Sequence, residues 1–122
     1  MSFFKATLIH GMAAGAVIEP FTIVKVGAAD NTAIPGAAAT DNLLGVTPAN
    51  GADAIGDTVD VILGGIAEVE IAGTVARGAQ VTSNASGKGV ATTTAGNRSI
   101  GIALASGVSG DVIPVILKSA IL

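Results

Sequence analysis

The chain has no cysteine, tryptophan or tyrosine, a single histidine, three phenylalanines and little charge. Each shortage excludes something. Without Cys there is no disulfide framework, no thiolate metal site and no Cys nucleophile. With His10 as the only histidine, neither a His-based triad nor a two-histidine metal site can be assembled within one chain. The aromatic platforms on which sugars usually stack are missing. Six Lys and Arg, scattered singly among nine acids, cannot form the basic stripe that nucleic-acid binding requires. No uncharged apolar run reaches the roughly 18 residues of a membrane-spanning helix, because Glu19 with Lys25, and Glu68 with Glu70, interrupt the two candidates. The opening MSFFKATLIHGMAAGA is apolar enough to suggest a signal peptide, but Lys5 and His10 break it.

What remains is apolar and small. Half of the 122 residues are hydrophobic, supplied by Ala, Val and Ile and diluted by 17 Gly. This length suits one domain, or two small halves sharing a core. Small side chains bury less area each, so such a core gains less per residue than an aromatic-rich one. A chain both apolar and short of large anchors often completes its burial against partner chains, so an oligomer is expected.

The apolar runs are short, rich in β-branched residues and bounded by Gly, Asn, Asp or Pro. Strands are predicted at 6–10, 21–26, 43–46, 58–63, 66–72, 79–83, 89–94, 99–105 and 111–117, and this spacing reads as an all-β sandwich or barrel. PGAAATDN (35–42) reads as loop. SNASGKG (83–89) is a hairpin signal. IAEVEIA (66–72) alternates, with Ile66 and Val69 or Ile71 assigned to one side and Glu68 and Glu70 to the other.

One pattern occurs twice. GDTVDVIL (56–63) and GDVIPVIL (110–117) are near copies, LLGV (43–46) and SIGIAL (99–104) precede them, and AAGAVIEPFTIVKV (13–26) matches IAGTVARGAQVTS (71–83). Residues of about 10–65 and 70–120 therefore read as two related halves of one β domain spanning 10–122, with residues 1–9 as an extended N-terminal arm. Period two sets Val59, Val61 and Leu63 on one face, and Ile113, Val115 and Leu117 on the corresponding face of the twin. Asp60 and Pro114 share a slot and read as edge or bulge devices. Ile62 and Ile116 are apolar on the otherwise outward face, which predicts cover from outside, such as a neighbouring subunit.

No constellation supports catalysis, and no cofactor or metal site is expected. Glu68 and Glu70 share a face, but the solvated side of an alternating strand accounts for them. Asp57 and Asp111 follow Gly at the starts of their strands, where turn hydrogen bonding explains both. SGKG (86–89) lacks the upstream Gly and following Ser or Thr of a phosphate loop. Lys88 at a hairpin tip has the position of a lipoyl- or biotinyl-carrier lysine, without the flanking residues of those families.

The C-terminal half carries a resemblance. A G-x-A-E-V strand (65–69), V-x-x-G-x-x-V-T-S (75–83), G-K-x-V-A-T (87–92), G-x-A-L (101–104) and the closing G-D-x-I-x-V-I-L (110–117), in that order, resemble the bacteriophage capsid cement, or head decoration, proteins. The first half joins through the repeat, with PGAAATDN as an insertion. The resemblance implies a structural, non-catalytic virion protein made in the host cytoplasm. It would bind the outside of an icosahedral head, commonly as a homotrimer, and brace contacts between major capsid subunits. Major capsid protein and further copies of the chain itself are the implied partners, with no nucleic acid and no membrane. The alternative from another class is a stand-alone β-rich surface or ligand-binding module.

Two of the three Phe residues stand together at the start, in MSFFKAT. Exposed Phe pairs are costly unless docked, so Phe3, Phe4 and Lys5 join Ile62 and Ile116 as candidate contact residues. The competing expectation is that this segment is the first strand of the barrel.

Overall fold

A computed structural model describes residues 5–122. Its strands are β1 (Lys5–Ala14), β2 (Ile23–Val26), β3 (Thr32–Pro35), β4 (Leu43–Val46), β5 (Thr58–Glu70), β6 (Gln80–Ser83), β7 (Gly89–Ala91), β8 (Arg98–Ala103) and β9 (Val112–Ile121). The fold is all-β. Strands β1, β3, β2, β4 and β5 lie side by side, and pairing of β1 with β5 closes them into a five-stranded barrel. Strands β9, β8, β6 and β7 continue from the second half of β5. A parallel bridge between Ile71 and Gly89 then brings β7 back to the end of β5.

The two ends of β5 therefore serve two sets of strands. Residues 58–66 pair with β1, and residues 66–70 pair with β9. Inward-facing Val59 and Val61 join Met12, Ile18, Val24 and Ala33 in one buried cluster. Val69 and, just beyond the strand, Ile71 join Val81, Ile113 and Val115 in the other. Leu63 and Leu117 border the first and second clusters respectively. The inward faces expected from period two are the observed ones.

Pairings recur across the two halves. β2 pairs with β3 and β4, and β4 with β5; likewise β6 pairs with β7 and β8, and β8 with β9. The Ala14 amide donates to the Asp57 carbonyl at 2.8 Å, and the Ile71 amide to the Asp111 carbonyl at 2.9 Å. Asp57 Oδ2 accepts from the Ala54 amide and Asp111 Oδ2 from the Val108 amide, at 3.1 and 2.9 Å. These are the expected turn bonds at the two strand starts.

Several expectations change. Segments 58–63 and 66–72 are not separate strands, because Gly64 and Gly65 continue the ladder instead of ending it. Gly65 takes φ +90, and a Cβ there would run into the Lys5 carbonyl. The strand bends opposite an irregular stretch of β1 without breaking. β3 falls where a loop was expected to begin, with Pro35 at its end. Of the expected arm, residues 1–4 lie outside the described residues, Phe3 and Phe4 with them. Lys5–Ile9 form the first half of β1 on β5.

Asp60 and Pro114 do not guard a shared edge. Asp60 stands opposite Gly11 and Pro114 opposite Glu68, both in paired strands. Pro114 is tolerated where its carbonyl accepts from the Leu104 amide, just past the end of β8. In IAEVEIA the parity is also different: Ile66 shares the outward face with Glu68 and Glu70, while Ala67, Val69 and Ile71 point inward.

Gly45 and Gly101 occupy matching places against β5 and β9. A Cβ at Gly45 would collide with the Ile62 carbonyl, and one at Gly101 with the Ile116 carbonyl. Gly45→Ala and Gly101→Ala are each expected to cost about 1–3 kcal/mol, lowering Tm by roughly 5 °C or more. Gly73→Ala, where an added methyl meets nothing within 4 Å, should leave Tm unchanged. Thermal unfolding followed by circular dichroism checks all three.

Candidate interaction surface

The two halves are fastened along a seam opposite β5. The Ile23 amide donates to the Gly87 carbonyl at 2.8 Å, the Glu70 amide to the Phe21 carbonyl at 3.0 Å, and the Arg98 amide to the Ala39 carbonyl at 2.7 Å. The predicted hairpin at 83–89 is present, with Ser83 opposite Gly89. Its tip is docked rather than free. Gly87 sits so close to Thr22 and Ile23 that a Cβ would not fit, and φ there is +76. Phe21 adopts φ +57, a left-handed conformation costing a side-chain-bearing residue about 1–2 kcal/mol. Its amide bond to the Thr47 carbonyl and its carbonyl bond from Glu70 hold it there.

Lys88 is the polar pin of this seam. Its ammonium lies 2.8 Å from Glu19 Oε2 and 3.3 Å from Glu70 Oε1, and its side chain is only 14% exposed. Burial works against the ammonium. The hydrogen bond to Glu19 and the charge and hydrogen bond of Glu70, with the charge of Glu19, outweigh it and hold Lys88 above the ordinary lysine value. The hydrogen bond from Lys88, then its charge, holds the Glu19 carboxyl below the usual carboxylate range. A carrier lysine must swing free, whereas this one joins hairpin tip, first half and β5. A cleft of about 460 Å³ beside it is lined by Val17, Glu19, Thr22, Pro35, Ser86 and Lys88. The Lys88 charge is already answered by two carboxylates, so the cleft offers no unpaired cation to an anionic ligand. No cluster of metal-ligating side chains occurs among the described residues. Every deeply buried side-chain polar atom among them is hydrogen-bonded.

Of the residues expected to form a contact surface, the structure separates rather than gathers. Lys5 is exposed on β1, followed by exposed Leu8 and Ile9. Ile62 is 1% exposed. It does face out of the N-terminal barrel, but the C-terminal half covers it, and it packs with Ile23 and Val46 into the second cluster. Its second cover is thus the chain itself, and Ile62 is unavailable to a partner. Ile116 is half-buried and stands between Ile66 and Ile102. With Pro114 and Leu104 beside them, these side chains form an apolar outer face that sequence reasoning assembled only in part. Ile66 had the same parity as Glu68 and Glu70, which was the signal for its outward position.

This all-β body with its apolar outer face matches, over residues 4–118, the family model for phage cement proteins. The chain belongs to the phage cement protein family. No curated protein sequence matches it. Among solved structures, the cement protein is similar to the head fiber gp8.5 N base of bacteriophage phi29. Identity is 15% and the TM-score 0.68, over 91% of this chain and 93% of that one. At that identity the likeness is one of fold. The family is a structural one, associated with the phage head, as the C-terminal motifs implied.

The pH response of the seam follows from its charges. Glu19, held low, contributes fully above the ordinary carboxylate value, and its contribution is lost as pH falls through its lower folded value. Lys88, held high, contributes up to the ordinary lysine value and loses its contribution as pH rises beyond it. Lys88→Met should lower Tm by a few degrees between about pH 5 and pH 10, with the deficit shrinking below about pH 4. Paired thermal melts of variant and wild type across that range measure it.

Proposed function

We propose that this cement protein binds the outer surface of an icosahedral phage head, as a homotrimer, and stabilises contacts between major capsid subunits. The observation that carries the reading is the family match across nearly the whole described chain, on a body whose free apolar surface suits protein contact. Exposed Leu8 and Ile9 share β1 with Lys5, and this end of the chain, together with Phe3 and Phe4 that precede it in sequence, is the proposed capsid contact. An aromatic pair entering a pocket would supply a central anchor of the kind that dominates interface energies. Each contact is modest, and repetition over many copies yields the avidity that resists subunit separation.

Cosedimentation with purified empty mature heads, against immature heads as control, tests the reading. Saturable binding to mature heads is expected, and no binding to either would remove it. Deleting residues 2–4, which leaves the Lys5–Ile66 pairing of β1 in place, should reduce occupancy on mature heads at least tenfold while leaving the Tm of the free protein unchanged. Undiminished occupancy by that folded variant would exclude the N-terminal segment as the contact.

A further inference from the structure

The five asparagines of the chain are not equally held. Asn31 Oδ1 is hydrogen-bonded to His10 Nε2 at 2.8 Å. Asn84 Oδ1 accepts from the Ser86 and Lys88 amides at 2.8 and 3.0 Å, and Asn97 Nδ2 donates to Thr92 Oγ1 at 2.8 Å. Asn42 and Asn50 are exposed, and no hydrogen bond or ion pair holds either side chain among the described residues. The residue that follows separates these two. Leu43 carries a branched side chain, and its amide donates to the Asp41 carbonyl at 2.9 Å. Asn50 is followed by Gly51, which has no side chain to hinder approach to its amide nitrogen.

The fold requires that glycine. Gly51 takes φ +57, and a Cβ there would run into the Ile18 carbonyl and the backbone of Glu19 and Pro20. Next to it the Ile18 amide donates to the Ala52 carbonyl at 2.9 Å, and the Ala52 amide to the Ile18 carbonyl at 2.7 Å. This two-way bridge fixes residue 52 and leaves the Gly51 amide outside it. Ala49 and Asn50, just before, are exposed. Packing thus keeps an unhindered backbone amide directly after an untethered asparagine, and excludes any bulkier residue that would shield it.

We infer that Asn50 is a site of spontaneous covalent modification, deamidated through a cyclic imide with Gly51; asparagine is among the thermolabile residues. The Gly51 amide nitrogen, on losing its proton to solvent base, attacks Asn50 Cγ. The N–Cγ bond forms, the Cγ–Nδ2 bond breaks, and Nδ2 takes a proton from water and leaves as ammonia. Water then opens the imide at either carbonyl. Cleavage of the N–Cγ bond gives aspartate with the ordinary backbone; cleavage at the main-chain carbonyl gives isoaspartate, in which the chain runs through Cγ. An amide and water become an acid and ammonia, with no change of oxidation state. Each converted chain gains one carboxylate, taking the formal net charge from −3 to −4, in a segment that already carries exposed Asp53 and Asp57. The inference stands independently of the capsid reading.

Incubation of the folded full chain in mildly alkaline buffer, followed by mass-spectrometric peptide mapping with fragmentation, tests this. A gain of about 1 Da, from NH2 replaced by OH, is expected first at Asn50 and at least tenfold faster there than at Asn42. It should slow in mildly acidic buffer, and an isoaspartyl methyltransferase should methylate part of the product. Asn50→Gln, in which the same attack must close a less favourable six-membered ring, should keep the wild-type Tm and lose the early mass gain. Asn50→Ser serves if that variant is unstable. A first gain at another asparagine, or a rate at Asn50 less than tenfold that at Asn42, would overturn the inference. So would an unmodified Asn50 after ten times the period in which the urea-unfolded chain is half converted, because the Ile18–Ala52 bridge would then hold Gly51 too rigidly for its nitrogen to reach Asn50 Cγ.

Discussion

Everything in this fold hangs on β5. Its 13 residues are long enough, at about 3.3 Å per residue, to run roughly 40 Å. That length lets one strand close the N-terminal barrel and then open the C-terminal half. The overlap at Ile66, which is paired with Lys5 of β1 along one edge and with Ile116 of β9 along the other, makes the double role possible. A side chain at Gly65 would meet the Lys5 carbonyl. The two cores are therefore separate in composition but share a covalent wall.

Sharing a wall does not by itself fix the angle between the halves. The seam does that, through a turn with no room for a Cβ, a Phe held in a left-handed conformation, and a lysine between two carboxylates. The polar atoms there are satisfied, which matters because an unpaired buried donor or charge would cost more than the joint gains. The one lysine there is answered by two carboxylates, Glu19 and Glu70.

Much of this was legible in the sequence. Short β-branched runs between Gly, Asp and Pro gave the all-β class, and LLGV, the two octets and SIGIAL fall largely on strands β4, β5, β9 and β8. Val59, Val61, Ile113 and Val115 were assigned inward by alternation alone. Three things were not legible, each for a physical reason. Gly64-Gly65 has the composition of a turn, and only the close approach of β1 makes it a bend. Pro35-Gly36 hid β3, because a strand that ends on proline looks like a loop. Ile62 and Lys88 were read from their own neighbourhoods, yet the groups that bury or pair them lie far away in the chain; Glu19 is 69 residues from Lys88. Local pattern can say that a residue is apolar on the outward side, but not that the other half of the chain will cover it.

The continuity of β5 has a mechanical consequence. The two halves are not beads on a flexible tether, because the element joining them is hydrogen-bonded on its flanks for its whole length. A pull that separates the halves along this strand loads the β1–β5 and β5–β9 ladders in shear, so many hydrogen bonds must yield together instead of opening one at a time like a zipper.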